Sequence, residues 1–198
     1  MENHGKLIDA PFYSTVKGFD TGIPPEYFNK FIKIADELCI RLAENDQGSL
    51  QTSDDIKSIL DHEGFEDIKR LFLMIAEGYM NDFYGEKFGG SVEVRKSWLV
   101  KSPKGTSQAL HTHAGDLTVV MYLSDAESDL IIHNAVYPAP DTRVYDFFIR
   151  TRRPQHLQAK AGCGYIFPSY SEHSVGINQS DSPRYCLAAD FVVKESLN

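Results

Sequence analysis

The chain has 198 residues, 42% of them hydrophobic and 24% charged, with a formal net charge of −8. That length fits one domain with an ordinary buried core. No apolar run reaches the roughly 20 residues of a membrane span, and the acidic balance argues against a general electrostatic grip on nucleic acid, which needs clustered Lys and Arg.

Met1 to Lys6 holds no basic region followed by an apolar one, so no secretory signal is expected and the cytosol is the default compartment. The three cysteines, Cys39, Cys163 and Cys186, form no CxxC pair and read as reduced thiols rather than as a disulfide frame.

Residues 7 to 19 lean towards β and are interrupted by Pro11, which suits an edge strand. From Pro24 and Pro25 the apolar residues Phe28, Phe31, Ile32, Ala35, Leu38, Cys39 and Leu42 recur at helical steps, predicting a helix to about Ala43. Thr52 to Asp55 resembles a capping box ahead of Ile56, Ile59 and Leu60, predicting a short helix. Phe65, Ile68, Leu71, Phe72, Ile75, Tyr79 and Phe83 mark a longer amphipathic helix ending at Gly85.

After Gly89 and Gly90 the pattern changes to short β-branched and aromatic runs. They fall at Val92 to Val100, Ala109 to His113, Leu117 to Leu123, Leu130 to His133, Val144 to Ile149, Tyr165 to Phe167 and Arg184 to Val193. Short strands at this spacing argue a sandwich or barrel. The expected fold is α+β, mainly β: a double-stranded β-helix, a jelly-roll or cupin-like barrel, with an amino-terminal helical layer on one sheet. One domain is expected over residues 1–198, with the first strand and supporting helices in 1–90 and the barrel in 91–198.

The chemistry is concentrated in Gly105 to Asp116. His111 and His113 are one residue apart on an extended segment and therefore face the same way, a ready two-imidazole chelate. His173 follows a further apolar strand, and neighbouring strands would bring all three imidazoles to one metal. Imidazole suits iron, copper, nickel or zinc, so the triad alone does not choose among them. His4, His62, His133 and His156 carry no such pattern and read as ordinary hydrogen-bonded residues.

The order Trp98, His111-x-His113, Tyr122-Leu123, Phe167-Pro168-Ser169, His173, Arg184 resembles the 2-oxoglutarate-dependent, Fe(II)-dependent oxygenases. Within them it is similar to a bacterial and phage branch near the prolyl-hydroxylase type, over roughly residues 92 to 193. The resemblance implies Fe(II) as cofactor, with 2-oxoglutarate and O2 as co-substrates and a small molecule or peptidyl side chain as the substrate. His111, His113 and His173 would be the ligands, with His113 at the position where most relatives place a carboxylate. A neutral imidazole there leaves the iron one charge more positive, favouring the doubly anionic 2-oxoglutarate.

By the same resemblance, Arg184 would receive the far carboxylate of 2-oxoglutarate and Tyr122 would hydrogen-bond it. Halogenating relatives have a small residue where His113 stands, so hydroxylation is the implied outcome. Asp116 is an alternative ligand or a partner of His113. Asp190 shares a strand face with Arg184 and would need a polar partner inside, a histidine or an arginine. Trp98 and Gln108 are candidate cavity residues, and the loop Asn134 to Arg153 is the expected seat of selectivity.

Two other readings use the same residues. A three-histidine cupin would need no 2-oxoglutarate; Gly105-x5-His111-x-His113 fits its first motif and His173-x4-Asn178 faintly echoes its second, but it gives Arg184 no task. A non-catalytic jelly roll that binds a ligand would need no metal.

Overall fold

The computed structural model describes residues 16–39, 41–42, 46–47, 51–53, 58–84, 88–133 and 154–194. Strand β1 (Lys17–Asp20) leads through a 3₁₀ turn (Pro25–Phe28) into helix α1 (Asn29–Leu38). Three two-residue strands follow, β2 (Arg41–Leu42), β3 (Asp46–Gln47) and β4 (Gln51–Thr52), then a 3₁₀ turn (Ile59–Asp61) and helix α2 (Glu66–Tyr84). The remaining strands are β5 (Ser91–Ser102), β6 (Ser107–His111), β7 (Leu117–Tyr122), β8 (Ala126–Ile132), β9 (Gln155–Ala159), β10 (Cys163–Pro168), β11 (His173–Val175) and β12 (Arg184–Lys194).

These strands form two antiparallel sheets. The larger runs β1-β10-β7-β12-β5-β4-β2 and the smaller β3-β6-β11-β8-β9. The two sheets give the double-stranded β-helix expected from the strand spacing; β1 stands at the end of the larger sheet, while residues 7–15 of the expected edge strand, Pro11 included, lie outside the described residues. The strands from the amino-terminal part, β1 to β4, are built into both sheets, so residues 1–90 supply more of the barrel than one strand and a helical support.

Alternation along β12 divides the molecule into two cores. Tyr185, Leu187, Ala189 and Phe191 face the helices and join Phe28, Phe31, Phe65, Ile68 and Phe72 in the larger apolar cluster. Arg184, Cys186, Ala188 and Asp190 have the opposite parity and point between the sheets. There Cys186 and Ala188 meet Val100, Val120, Tyr122, Leu130, Ile132 and Phe167.

The helical layer departs from expectation in one place. Helix α1 ends at Leu38 rather than near Ala43, because the chain leaves helical geometry at Cys39 (φ −83°, ψ 66°) and pairs as β2 with β4 on the large sheet. Between Thr52 and α2 the turn Ile59–Asp61 is helical and is held by Ser97 Oγ, which accepts from the Leu60 amide; Asp54, Asp55 and Ile56 of the expected short helix lie outside the described residues. Helix α2 matches its expected span, with Glu66 and Asp67 in the first turn to complement the helix dipole.

Strands β9 and β11 were not anticipated. The first lacks clean alternation, and the second has three residues, too few to display a period. The strand expected at 144–149 and the selectivity loop, with Tyr137, Tyr145, Arg150, Arg152 and Arg153, lie outside the described residues.

Candidate metal centre

The three histidines converge. His111 ends β6, His173 starts β11, and the two are direct partners in the antiparallel register. His113 follows on the short connection to β7, where its amide donates to the Ser169 carbonyl at 2.9 Å. One nitrogen from each ring lies within 4.8 Å of the others. No other group of three His, Cys, Asp or Glu among the described residues is so arranged.

Hydrogen bonds fix which nitrogen faces inward. The Nδ1 atoms of His111 and His173 lie 2.8 Å from the Ala109 carbonyl and 2.9 Å from the Ser171 carbonyl. A carbonyl oxygen only accepts, so each Nδ1 carries the hydrogen and, in the neutral ring, each Nε2 is bare. Burial pushes His173 down to about 3 and, with His111 close by, keeps it neutral at ordinary pH; burial also lowers His111. His113 Nδ1 faces the Asp190 carboxylate at 3.0 Å, which in a neutral ring would likewise leave its Nε2 bare.

The Nε2 atoms of His113 and His173 are 3.1 Å apart. In neutral rings the two lone pairs would face one another and repel unless a cation lay between or beside them, so the ring set fits a divalent metal. Trp98 closes one side, its ring stacked on His113 at 5.2 Å and 19°. Phe167 meets His173 edge-on at 5.0 Å.

Asp116 is not part of the cluster. It is exposed, and its Oδ2 accepts from the Val193 amide at 2.8 Å, so it ties the β7 start to the end of β12. The three-residue step from His113 takes it off the chelating face. Gly115 beside it is required by close approach: a Cβ there would stand 2.9 Å from the Phe191 carbonyl, 3.0 Å from Ser169 Oγ and 3.1 Å from Asp190 Cβ.

Gln108 reaches the histidine face by a route parity does not predict. It opposes Val175 while His111 opposes His173, three residues against two, so β6 carries a one-residue bulge. Paired residues share a face, and the bulge returns Gln108 to the side of His111.

At the other end of β12's inner face sits Arg184, 2% exposed. Its two terminal nitrogens donate to Ser128 Oγ on β8 at 2.8 Å and Ser102 Oγ on β5 at 2.7 Å. Its Nε is buried with no partner, and among the described residues no carboxylate pairs with the guanidinium. A buried cation held only by hydroxyls is costly, and an anionic ligand is the group that would offset the cost. Tyr122 is fully inside; burial raises its hydroxyl and the Arg184 charge lowers it. Ser102 and Ser128 were missed from the sequence. Their parity with Val100 and with Leu130 and Ile132 was legible, but a small hydroxyl residue gives no hint of its partner.

Asn178, the residue that echoes a second cupin motif, has a different task. Its Nδ2 donates to the Ser102 and Ser182 carbonyls at 2.8 and 3.2 Å, and its own carbonyl accepts from the Gly105 amide. It braces the β5–β6 turn, where Gly105 adopts φ +82°.

A β-helix with a histidine cluster at one point and, among the described residues, a guanidinium without a carboxylate partner at another has the donors to hold a metal and an acid. Residues 96–190 match the family described as "Putative 2OG-Fe(II) oxygenase". Over that segment, just under half of the chain, the protein carries the pattern of the 2-oxoglutarate/Fe(II)-dependent oxygenases, which use Fe(II) and 2-oxoglutarate.

Among solved structures, a prolyl-4-hydroxylase from Pseudomonas putida is similar at 15% identity and TM-score 0.58, covering 93% of this chain and 94% of its own. The epimerase SnoN from nogalamycin biosynthesis is also 15% identical, with TM-score 0.61 and coverage of 90% and 78%. A prolyl hydroxylase from Trichoplax adhaerens, in complex with a hypoxia inducible factor oxygen degradation domain peptide fragment, gives 13%, 0.59, 91% and 84%. At these identities the likeness is one of fold. No curated protein sequence matches the chain. No helix among the described residues is long and apolar enough to cross a membrane.

Proposed function

We propose that the protein hydroxylates a C–H group of a small molecule or peptidyl side chain, with His111, His113 and His173 as the iron ligands and Arg184 as the seat of the far carboxylate of 2-oxoglutarate. The observation that carries this reading is the pairing of three converging imidazole nitrogens with a buried guanidinium that has no anionic partner among the described residues. When bound, iron and 2-oxoglutarate supply the oxidising chemistry, converting O2 and the keto acid to CO2, succinate and one transferable oxygen atom.

The chain's own residues place and enclose. The carbonyls of Ala109 and Ser171 hold two imidazoles in the ligating tautomer. Ser102 and Ser128 hold the guanidinium plane, and Tyr122 lies close enough to feel its charge. Trp98 and Phe167 keep water from the ring cluster, which strengthens every charge interaction there. A three-histidine cupin is disfavoured because it would leave the Arg184 charge buried without purpose. The cytosol suits the three free cysteines, Cys39, Cys163 and Cys186.

Anaerobic titration of the Fe(II) protein with 2-oxoglutarate tests the proposal. The expected result is a visible charge-transfer band that both His111→Ala and Arg184→Ala remove. No band in the parent protein would overturn it.

A further inference from the structure

The ligand triad is electrically incomplete by the standard of a two-histidine, one-carboxylate site, and the structure holds a carboxylate one bond behind it. Of the three Nδ1–H groups, two donate to neutral backbone carbonyls, of Ala109 and Ser171. The third, on His113, faces Asp190, 3.0 Å from Oδ1 and 3.3 Å from Oδ2. Asp190 is 4% exposed and lies in mid-strand on the inner face of β12, opposite Thr118 on β7.

We infer that Asp190 is a positioning residue that supplies, through His113, the negative charge that the triad lacks. This rests on the iron-ligand reading given above and adds to it a reason for the third imidazole. The carboxylate is itself held: Thr118 Oγ1 donates to Asp190 Oδ1 at 2.9 Å, and Thr118 Oγ1 in turn lies 2.8 Å from Ser169 Oγ. Ser169 also fixes the His113 backbone, through its carbonyl and the His113 amide. His113 is thus clamped at its backbone and at its ring by one network. A carboxylate that accepts a ligand's second N–H fixes the ring and raises the basicity of the ligating nitrogen. Direct ligation by Asp190 is not the geometry seen, since the His113 ring stands between.

The neighbours also specify the carboxylate. Glycine at 115 leaves Asp190 its place, because a Cβ there would stand 3.1 Å from Asp190 Cβ. Asparagine at 190 has the same shape, can still accept from Nδ1–H and has lost the charge.

The test compares parent, Asp190→Asn and Asp190→Ala for Co(II) affinity, with anaerobic 2-oxoglutarate binding measured at saturating Co(II). The asparagine variant is expected to keep the parent Co(II) spectrum, with about 10–100-fold weaker metal binding. The alanine variant should be weaker still, with an altered spectrum as His113 loses its acceptor. On metal-saturated Asp190→Asn the dianion should bind no more weakly than to the parent, because the centre is more positive; structural loosening would weaken both.

Metal affinity unchanged in both variants, with His111→Ala still abolishing it, would overturn the role of Asp190 and leave the triad standing. Metal affinity indifferent to His111→Ala would overturn the triad. If the Asp190 variants do not fold, proton NMR of the Zn(II)-loaded parent decides. Three protected imidazole N–H resonances are expected, with that of His113 furthest downfield because its acceptor is charged. A His113 resonance level with the other two would refute the inference.

Discussion

The helix-facing core and the barrel interior share the strand β12 but are built on opposite terms. The first is a continuous apolar cluster in which Phe28, Phe65, Phe72, Leu187, Ala189 and Phe191 are wholly buried. The second is small, and its walls include Arg184, Asp190, Thr118, Ser102, Ser128 and His173, all buried. A polar interior of this kind contributes little net stability, since each charge must be hydrogen-bonded merely to offset its desolvation. The difference teaches that folding is secured on one face of the large sheet and ligand binding on the other.

The largest expected effect sharpens that division. Phe72→Ala should cost about 3–5 kcal/mol of stability in urea unfolding, while the folded protein keeps its 2-oxoglutarate affinity. A matching loss of affinity would break the comparison. Arg184→Met should do the reverse. Affinity for 2-oxoglutarate should fall by at least about 100-fold, roughly 2.7 kcal/mol, with unfolding free energy within about 1 kcal/mol of the parent or above it, because a buried charge is replaced by an apolar chain.

Next in size is the metal itself. Zn(II) or Co(II) at about 100 times its Kd should stabilise the protein by about 2.7 kcal/mol, read as a rise in Tm of several degrees for a chain of this length. Chelator should reverse the rise and His111→Ala should prevent it. A gain that persists in His111→Ala would place the metal elsewhere.

The smallest effect lies on the helix side, where Asp36 of α1 meets Lys101 Nζ and the Tyr185 hydroxyl, each at 2.7 Å. The hydrogen bond from Lys101 holds the Asp36 carboxyl below its ordinary value of 3.8. A depressed folded value means stability that is present above the unfolded value and lost as pH falls through the folded one. Asp36→Asn should therefore cost a few tenths to about 1 kcal/mol at pH 7, since the pair is partly solvated. In urea titrations the difference should shrink below pH 3.8 and vanish in stronger acid.

Much of the binding side was legible because it obeys simple periods. His111 and His113 share a face by strand alternation, and the same rule turned Asp190 inward with Arg184. The strand runs and the two long helical patterns gave the architecture. What escaped was set by contacts that leave no period. The β6 bulge re-aims Gln108, the register of β11 against β6 opposes His173 to His111, and two serines on different sheets meet one guanidinium. Asp116 failed as a ligand candidate for a physical reason: a three-residue step leaves the chelating face, and the Val193 amide takes its carboxylate.

Arg184 and Asp190 stand on one central strand, on one face, an even number of residues apart. That strand acts as a ruler with coarse graduations. In regular strand, inserting or deleting one residue between them would turn one of the two towards the helices, so without a bulge such as that of β6 the distance between the proposed acid grip and metal support changes in jumps of two residues, about 6.6–6.8 Å. On the proposed reading the reach open to the co-substrate is set by this one strand, and the span is expected to stay fixed while side chains and surrounding loops diversify.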